Sequence, residues 1–486
     1  MKDRGYDVLV LEREKEIGGN CDTFYFNAPA PNTPNWIDIG IRVYFDTKSL
    51  EAKGLGEYVF DMRHYLERFV GTENVYDITV PSLINYAADF TLGVNASNSP
   101  ISGQSEEQKL ALIRLLVFIN RFPFLNNGNI PKDIPAELTV PFSQFIAEHN
   151  LQVLIPTIFR AISDYIGQSF DEIPTIHALY NLAPYQLALN AGEQNIGIGV
   201  NGGCQAFYNQ VQSYIGFKQI KTDVQITGIS RSNSKGYIRI EYTSNIEEND
   251  VHCRKLVMAI PPNLENLNFL DLTKKERYLF SHINVGHMYL FAVEVEGGIA
   301  DTGFNNVINL NLSAANAPLN YPAITLLSRN LPYGPALGVL ASTSPLNDIE
   351  LNNLITTQLA GITFFNATLI PGSIDHHVHL DFDLASFRRS PFQRFEYLQG
   401  KLDTFWVGAL NSFDYSHIIL DNTYRLIQNN FPSKRQSQQQ SQHQSPQQSP
   451  QHQAPAQPDY QAPSQQNYQA PAYQANSKKI HHEGHH

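Results

Sequence analysis

The feature that most constrains the fold is an apolar segment near the start of the chain that ends in an acid and a glycine pair. Residues Tyr6 to Leu11 are followed directly by Glu12, and Gly18 and Gly19 come shortly afterwards. A continuous run of valine and leucine is typical of a strand that is buried on both faces of a parallel sheet. The sequence therefore predicts a strand of an α/β domain that ends at Glu12.

An acid directly after such a strand indicates dinucleotide binding. A carboxylate at this position can accept hydrogen bonds from both hydroxyl groups of an adenosine ribose. Gly18 and Gly19 would let the backbone approach a cofactor closely. The alternative is a solvated strand end at Glu12, with an ordinary turn at the two glycines.

Further segments follow in a characteristic order. They are Glu12 to Thr23, Asp38-Ile39-Gly40, Gly202-Gly203, Asp223 to Ile229, Val257 to Pro262 and Leu398 to Phe413. Together they resemble the FAD-binding segments of the flavin-containing amine oxidoreductase superfamily, which has a Rossmann-type FAD/NAD(P)-binding domain. The resemblance is strongest to a microbial branch with polyenoic fatty acid isomerase and cyclopiazonate dehydrogenase.

The resemblance implies that FAD is the cofactor and assigns roles to individual residues. Glu12 would hold the ribose, Val224 would meet the adenine, and Gly408 would approach the flavin. The remaining residues expected to line the cofactor are Gly18, Gly19, Gly40 and Gly203. The side chains expected to face the flavin and the substrate are Tyr44, Trp406 and Phe413, and ordinary core packing is their alternative role.

The resemblance also implies a fold class. The nucleotide-binding domain would be α/β, and the chain as a whole would be α+β. A Rossmann-like FAD-binding domain is interleaved with a substrate domain of helices on an antiparallel sheet. The expected FAD-binding parts are residues 1–69, 196–265 and 396–432. The expected substrate domain combines a largely helical part, residues 70–195, with a sheet part, residues 266–395.

One part of the FAD signature is missing ahead of Glu12. A strand and a G-x-G-x-x-G turn should precede the acid by about 20 residues. Because only Met1 to Leu11 precede it, we expect a truncated amino terminus. The sequence from Gly197 to Gly202 fits G-x-G-x-x-G literally, but polar residues precede it. We interpret it as a glycine-rich loop before a helix from Gly203 to Tyr214, with a second dinucleotide site as the alternative.

The chemistry that the resemblance implies is oxidation of a carbon by an FAD-dependent oxidoreductase. A hydride would pass from an apolar or amine-bearing small molecule to flavin N5, which needs little acid-base chemistry from the protein. Amine oxidases usually place an acid after the closing glycine, whereas Ala409 follows Gly408. This difference favours desaturation, isomerisation or oxidative cyclisation over amine oxidation. The alternative is a truncated, inactive scaffold with a low-complexity interaction tail.

Two other patterns invite a metal or disulfide interpretation. The residues His377, His379, Asp381 and Asp383 would share one face of a strand, which suits either metal ligands or a half-buried strand with a wet face. Because no second ligand cluster lies nearby, we predict no metal site. The cysteines are Cys21, Cys204 and Cys253, and their odd number and wide spacing argue against a disulfide framework.

The amino-acid composition restricts which parts of the chain can fold and which classes of partner it can bind. Residues 433–486 hold 16 Gln and 6 Pro, with Ile480 as the one large aliphatic residue, and we predict a disordered tail. The remaining residues carry 30 basic and 44 acidic groups, which argues against nucleic acid as a partner. No apolar run reaches the roughly 20 residues of a membrane span. We expect a soluble protein, while the compartment and the oligomeric state stay open.

Overall fold

The computed structural model describes most of the first 433 residues. The described ranges are 1–27, 34–40, 43–78, 85–90, 94–95, 105–155, 168–182, 196–231, 236–244, 247–297, 306–309, 321–329, 334–412 and 415–433. The chain divides into two compact units, Met1–Gln436 and Ser437–His486. The second unit, and with it almost all of the predicted tail, lies outside the described residues.

The described residues contain both helices and strands throughout. The helices are α1 (Thr47–Ala52), α2 (Met62–Val70), α3 (Glu106–Ile119), α4 (Phe124–Asn127), α5 (Phe142–Glu148), α6 (Thr175–Asn181), α7 (Cys204–Ile215), α8 (Lys274–Phe280), α9 (Asp348–Ala360), α10 (Pro391–Leu398) and α11 (Ser416–Asn430). Within the described ranges, no helix combines the length and the apolar character needed to cross a membrane.

The strands of the first half of the chain are short. They are β1 (Val10–Leu11), β2 (Thr23–Tyr25), β3 (Trp36–Asp38), β4 (Tyr44–Phe45), β5 (Val75–Ile78), β6 (Asn85–Asp89), β7 (Val94–Asn95), β8 (Gly197–Val200), β9 (Ile220–Lys221) and β10 (Val224–Ser230). Those of the second half are β11 (Ile238–Ser244), β12 (Glu247–Cys253), β13 (Leu256–Met258), β14 (Ile283–Glu296), β15 (Asn306–Asn309), β16 (Ala323–Ser328), β17 (Ala336–Ser342), β18 (Asn366–Leu369), β19 (Asp375–Phe382) and β20 (Thr404–Trp406).

The largest sheet is mixed and has eight strands, in the order β18-β14-β17-β16-β15-β6-β7, with β19 also paired to β14. Its pairs are antiparallel except for β6 and β15, which run parallel. Helix α9 covers one face of the sheet, where Leu351 and Ile355 join an apolar cluster with Phe291 and Val293. The predicted combination of helices with a largely antiparallel sheet is confirmed.

Parallel strands occur in two separate pairs at the predicted nucleotide domain. β1 pairs with β9, and β13 pairs with β20. The predicted burial of the first strand on both faces is wrong, because Val10 and Leu11 are half-buried and Leu9 is 40% exposed. Within the described part of the chain, β1 has a neighbouring strand along one edge only, which leaves its apolar side chains partly in contact with water.

The glycine-rich segment after residue 196 is a strand and not the expected loop. β8 is fully buried and pairs antiparallel with both β4 and β5. Its glycines allow close packing, since a Cβ atom on Gly199 would lie 2.6 Å from the Tyr76 ring. Helix α7 begins at Cys204, one residue after the predicted start.

Apolar residues recur at helical spacing between Glu106 and Asn120, and this segment forms helix α3. The Ser105 hydroxyl oxygen caps this helix by accepting a hydrogen bond from the Gln108 backbone N–H. In return, the Gln108 side-chain oxygen accepts a hydrogen bond from the Ser105 backbone N–H. Its buried face carries Phe118, which packs edge to face on Phe145 of α5 at 4.8 Å. This face therefore joins the helices of the middle segment to the main apolar core.

A buried ion network links β10 to helix α8. The side chain of Arg231, the residue after β10, donates to both carboxylate oxygens of Glu276 at 2.7 and 2.8 Å. It also donates to Asp271 Oδ1 at 2.7 Å. Because the Arg231 side chain has no exposed surface and Glu276 is 2% exposed, both charges depend on this pairing.

Candidate functional site

The predicted ribose and adenine positions lie next to each other. The Glu12 backbone N–H donates to the Lys221 carbonyl at 2.8 Å, and its own carbonyl accepts from the Val224 N–H at 2.9 Å. One carboxylate oxygen of Glu12 accepts the Glu14 backbone N–H at 3.0 Å, which orients the side chain. The start of β10 is thereby held against the end of β1, as a binding site for an adenosine group requires.

A second set of predicted segments meets at Asp38. One oxygen of Asp38 accepts the Thr23 hydroxyl group at 2.6 Å and the Cys204 backbone N–H at 2.9 Å. The Gln205 N–H donates to the Thr23 hydroxyl oxygen at 3.1 Å. The segment after the first glycine pair, the Asp-x-Gly strand and the helix after Gly203 are thus joined by hydrogen bonds.

The glycines of these segments fall into two classes. A Cβ atom on Gly40 would lie 2.0 Å from the Asn20 carbonyl oxygen, and one on Gly203 would lie 2.4 Å from Thr23 Cγ2. These positions require glycine because protein atoms already fill the space, and a Cβ on Gly18 would also lie 2.9 Å from the Cys21 carbonyl oxygen.

Gly19 and Gly408 are different, because a Cβ atom at either position would meet nothing within 4 Å. Both have a positive φ, +58° and +121°, so the backbone there is open to an approaching group in a conformation that suits glycine. This open backbone, together with the Glu12 carboxylate, fits the ribose and the flavin ends of FAD.

The structure corrects the expectation for the cysteines, because Cys21 and Cys204 are paired as a disulfide. Their Cα atoms are 5.7 Å apart, and both side chains are buried. The bond links the segment after the first glycine pair to the start of α7. The sequence gives no sign of it, since the two cysteines are 183 residues apart and share no motif.

The predicted flavin-facing side chains are not brought together in the described structure. Tyr44 is buried in a cluster with Phe207, and its hydroxyl group lies 3.3 Å from Cys21 Sγ. Trp406 is buried in the main core, where its ring packs edge to face on Phe280 at 4.8 Å. Phe413 lies outside the described residues. The catalytic role of all three stays a prediction.

The strand with alternating histidines has partners within the protein. His377 Nε2 is hydrogen-bonded to Asp375 Oδ2, and Asp383 Oδ2 lies 2.9 Å from His282 Nδ1. Asp381 accepts a hydrogen bond from the Gln168 side chain at 3.2 Å. Among the residues that the structure describes, no group of three or more histidine, cysteine or acidic side chains is arranged to hold a metal.

Burial changes the pKa of two carboxyl groups near these segments. Burial raises the pKa of Asp381 to about 7, against hydrogen bonds that favour its charged form. Burial also raises the pKa of Asp22, and the nearby charge of Asp375 adds to the effect. Sequence reasoning missed Gln168 and Gln205, since a glutamine in an irregular segment or at a helix start carries no local signal of a buried role.

Comparisons with known proteins place this geometry in context. No protein-family profile matches the chain. The chain is 28% identical to the uncharacterized protein R656 of Acanthamoeba polyphaga mimivirus over 454 residues, which cover 89% of this chain and 90% of the relative. It is 27% identical over 424 residues to the FAD-dependent oxidoreductase dpasF of Apiospora sacchari, 84% of each chain. It is 25% identical over 433 residues to the beta-cyclopiazonate dehydrogenase of Aspergillus flavus, 86% of each chain.

Two solved structures share the fold. The CLA-producing fatty acid isomerase from P. acnes matches with a TM-score of 0.64 at 14% identity, over 87% of this chain and 92% of that protein. Cyclohexylamine oxidase from Brevibacterium oxydans matches with a TM-score of 0.57 at 13% identity, over 90% and 95%. The comparisons confirm the predicted resemblance to FAD-dependent oxidoreductases with an amine oxidase-like fold, and with it the predicted enzyme class and the predicted cofactor FAD.

Proposed function

We propose that this relative of the FAD-dependent oxidoreductases binds FAD and removes a hydride from a carbon atom of an apolar or amine-bearing small molecule. The observation that supports the proposal is the convergence of the predicted FAD segments. Glu12 is held beside Val224, and Thr23, Asp38 and the backbone after Gly203 share one hydrogen-bond network. These segments are far apart in sequence, so their meeting argues for a common binding role.

Each residue has a stated task in this proposal. Glu12 accepts hydrogen bonds from the ribose hydroxyl groups, and the Val224 backbone contacts the adenine. Gly19 and Gly408 present open backbone to the cofactor. Gly18, Gly40 and Gly203 let the surrounding segments pack closely enough to shape the site. When FAD is bound, its flavin supplies the electron sink for the oxidation.

We favour desaturation, isomerisation or oxidative cyclisation as the reaction. Ala409 stands where an acid is usual in amine oxidases, which is evidence against an amine as the reacting group. We also propose that residues 1–69, 196–265 and 396–432 form the FAD-binding domain. Residues 70–195 and 266–395 then form the substrate domain, and residues 433–486 form an appended tail.

Binding of FAD tests the first part of the proposal. The purified protein, expressed with the upstream strand and glycine turn that the FAD signature predicts, is mixed with FAD, filtered to remove the free cofactor and examined by its visible spectrum. We expect Glu12→Gln to weaken FAD binding by roughly 10- to 100-fold in calorimetry, because it loses charge-assisted hydrogen bonds to the ribose. Glu14→Gln is the matched control, since its side chain is exposed and paired with Arg13.

A folded but colourless wild-type protein would contradict the proposal and support the inactive-scaffold alternative. The reaction class is tested by anaerobic bleaching of the bound flavin with amines, polyunsaturated fatty acids and indole-type metabolites. We expect bleaching by compounds that offer an activated C–H bond. Bleaching by simple amines alone would show that the preference against amine oxidation is wrong.

A further inference from the structure

The strand that leads to Gly408 is held by a side chain that the proposed function leaves without a role. Gln399 directly follows helix α10, and its amide group bonds the backbone of Trp406 in β20. The amide oxygen accepts the Trp406 N–H, and the amide nitrogen donates to the Trp406 carbonyl, both at 2.9 Å. One side chain thus makes the two backbone hydrogen bonds that a neighbouring strand makes in a sheet.

Strand β20 is therefore held along both of its edges. On the edge toward β13, the Val407 N–H donates to the Met258 carbonyl at 2.9 Å. Within the described part of the chain, β13 is the one strand that pairs with β20, and Gln399 bonds the opposite edge. All three residues of β20 are buried, where an unpaired backbone group is costly. The position of β20 therefore depends on Gln399 as well as on β13.

The turn between Gln399 and β20 adopts a conformation that its residues disfavour. Leu402 and Asp403 have φ values of +52° and +54°, in the left-handed region that is costly for a residue with a Cβ atom. The Gly400 N–H donates to the Thr404 carbonyl at 2.8 Å and closes the turn. Such a conformation persists only where surrounding contacts enforce it, and it is found mainly at functional sites. The two hydrogen bonds from Gln399 are contacts of this kind.

The backbone after Gly408 is held from another direction. Gly408 is followed by the short turn Ala409–Asn411. Asn422 of helix α11 donates to the Asn411 carbonyl at 3.3 Å and to the Ser412 hydroxyl oxygen at 3.0 Å. Gly408 lies between these contacts and those of β20, while the space beside its own backbone is open. The open backbone is thus fixed in place before any group approaches it, which lowers the cost of binding.

We infer that Gln399 is a positioning residue for FAD, which places the Gly408 backbone for contact with the flavin by bonding both polar groups of the Trp406 backbone. The inference rests on the proposed function and deepens it, because it names the side chain on which the flavin end of the site depends. Gln399 acts through the backbone of β20. Asn422 supports the same glycine from the other side.

A second glutamine makes the same pair of hydrogen bonds elsewhere and provides a matched control. Gln358 of α9 accepts the Ile324 N–H at 2.7 Å and donates to the Pro322 carbonyl at 3.2 Å. It therefore holds β16, a strand of the proposed substrate domain. Gln399 and Gln358 are both half-buried. Because methionine keeps the length of the side chain and removes both hydrogen bonds, Gln358→Met is the control for Gln399→Met.

The measurements are FAD affinity by calorimetry and the visible circular dichroism of the bound flavin, on protein that carries the upstream glycine turn. Both variants should lower the urea midpoint of unfolding by a similar amount, because each leaves two backbone groups unpaired. Gln399→Met should also weaken FAD binding by about tenfold, because the competent position of Gly408 is less populated. It should change the circular dichroism of the flavin as well, whereas Gln358→Met should change neither property.

Asn422→Ala decides the question if Gln399→Met does not fold. It removes the contacts on the other side of Gly408 and should weaken FAD binding by about threefold, again with a changed flavin signal. Wild-type affinity and circular dichroism in Gln399→Met, or in Asn422→Ala where Gln399→Met does not fold, would overturn the inference and leave the proposed function intact. Equal losses of affinity in Gln399→Met and Gln358→Met would do the same. A wild type that binds no FAD would overturn both.

Discussion

Replacing Arg231 by methionine should destabilise the protein strongly, because it leaves a buried carboxylate without its cation. The Arg231 side chain makes four hydrogen bonds, two to Glu276 and two to Asp271, at 2.7 to 3.1 Å. Without them, the buried carboxylate of Glu276 keeps one hydrogen bond, from the Thr273 backbone N–H at 2.8 Å. Breaking a buried ion pair from one side typically costs about 3–5 kcal/mol, and we expect a loss of this size in the free energy of unfolding.

The measurement is urea unfolding followed by tryptophan fluorescence at neutral pH. Arg239→Met is the matched control, because Arg239 is 49% exposed and pairs with Glu241 and Asp250 on the surface. Exposed pairs of this kind contribute about 0–1 kcal/mol. Equal losses in the two variants would refute the argument that burial makes the Arg231 network important.

The same network predicts a pH dependence with a definite sign. Burial alone would raise the pKa of Glu276, but hydrogen bonds from Arg231 and Thr273 outweigh it, and the pKa is lowered. Wild type therefore gains stability from Glu276 above the unfolded pKa of this group and loses it as the pH falls through the folded pKa. In Arg231→Met, burial dominates and protonation relieves the cost. The difference between the two proteins should therefore shrink as the pH falls.

Three further predictions concern the candidate site. Gly203→Ala should lower the free energy of unfolding by about 1–3 kcal/mol, because the added Cβ would overlap Thr23. Gly19→Ala should lower it by only about 1 kcal/mol, because the space around Gly19 is open and only its positive φ is unfavourable for alanine. Thermal melts of the two variants make the comparison. If the Trp406 indole contacts the flavin, Trp406→Phe should change the absorbance of bound FAD. If Trp406 only packs in the core on Phe280, the variant should lose about 1–2 kcal/mol in the free energy of unfolding and leave the spectrum unchanged. A thiol assay in denaturant without reductant should find one reactive group per chain, Cys253, and three such groups would contradict the disulfide.

Local sequence patterns predict a helix or strand correctly where the residue types and spacing within the segment itself determine which side chains are buried. Strand β17 consists of small and apolar residues up to Ser342, and every residue in it is buried, as that composition indicates. Helix α3 likewise follows from its apolar spacing and from the cap at Ser105. In both cases the stabilising contacts can be inferred from residue type and spacing.

The errors have the opposite cause, because they depend on partners that are distant in sequence. β1 has the composition of a buried strand, yet its burial depends on which strands flank it. Gly197 and Gly199 carry no side-chain signal for a strand, so β8 was predicted as a loop. The disulfide between Cys21 and Cys204 follows only from the folded chain.

The candidate site was accessible to sequence reasoning mainly through family resemblance. Glu12 and Val224 were assigned to one nucleotide by motif, and the structure holds their backbones together by a hydrogen bond at 2.9 Å. The role of Gly40 as a packing residue needs coordinates, because it depends on the Asn20 carbonyl oxygen and the His377 ring. The pairing of Asp381 with Gln168 likewise joins residues from separate segments.

The two ends of the first unit are in contact, and this has a consequence for folding during synthesis. The Arg4 guanidinium donates to the Phe431 carbonyl at 2.7 Å, and the Tyr6 ring packs edge to face on Phe431 at 5.6 Å. Contacts of such long sequence separation form late, because the whole intervening chain must first be synthesised. The segment that leads to Glu12 is therefore synthesised long before Phe431 and is among the last to reach its final neighbours.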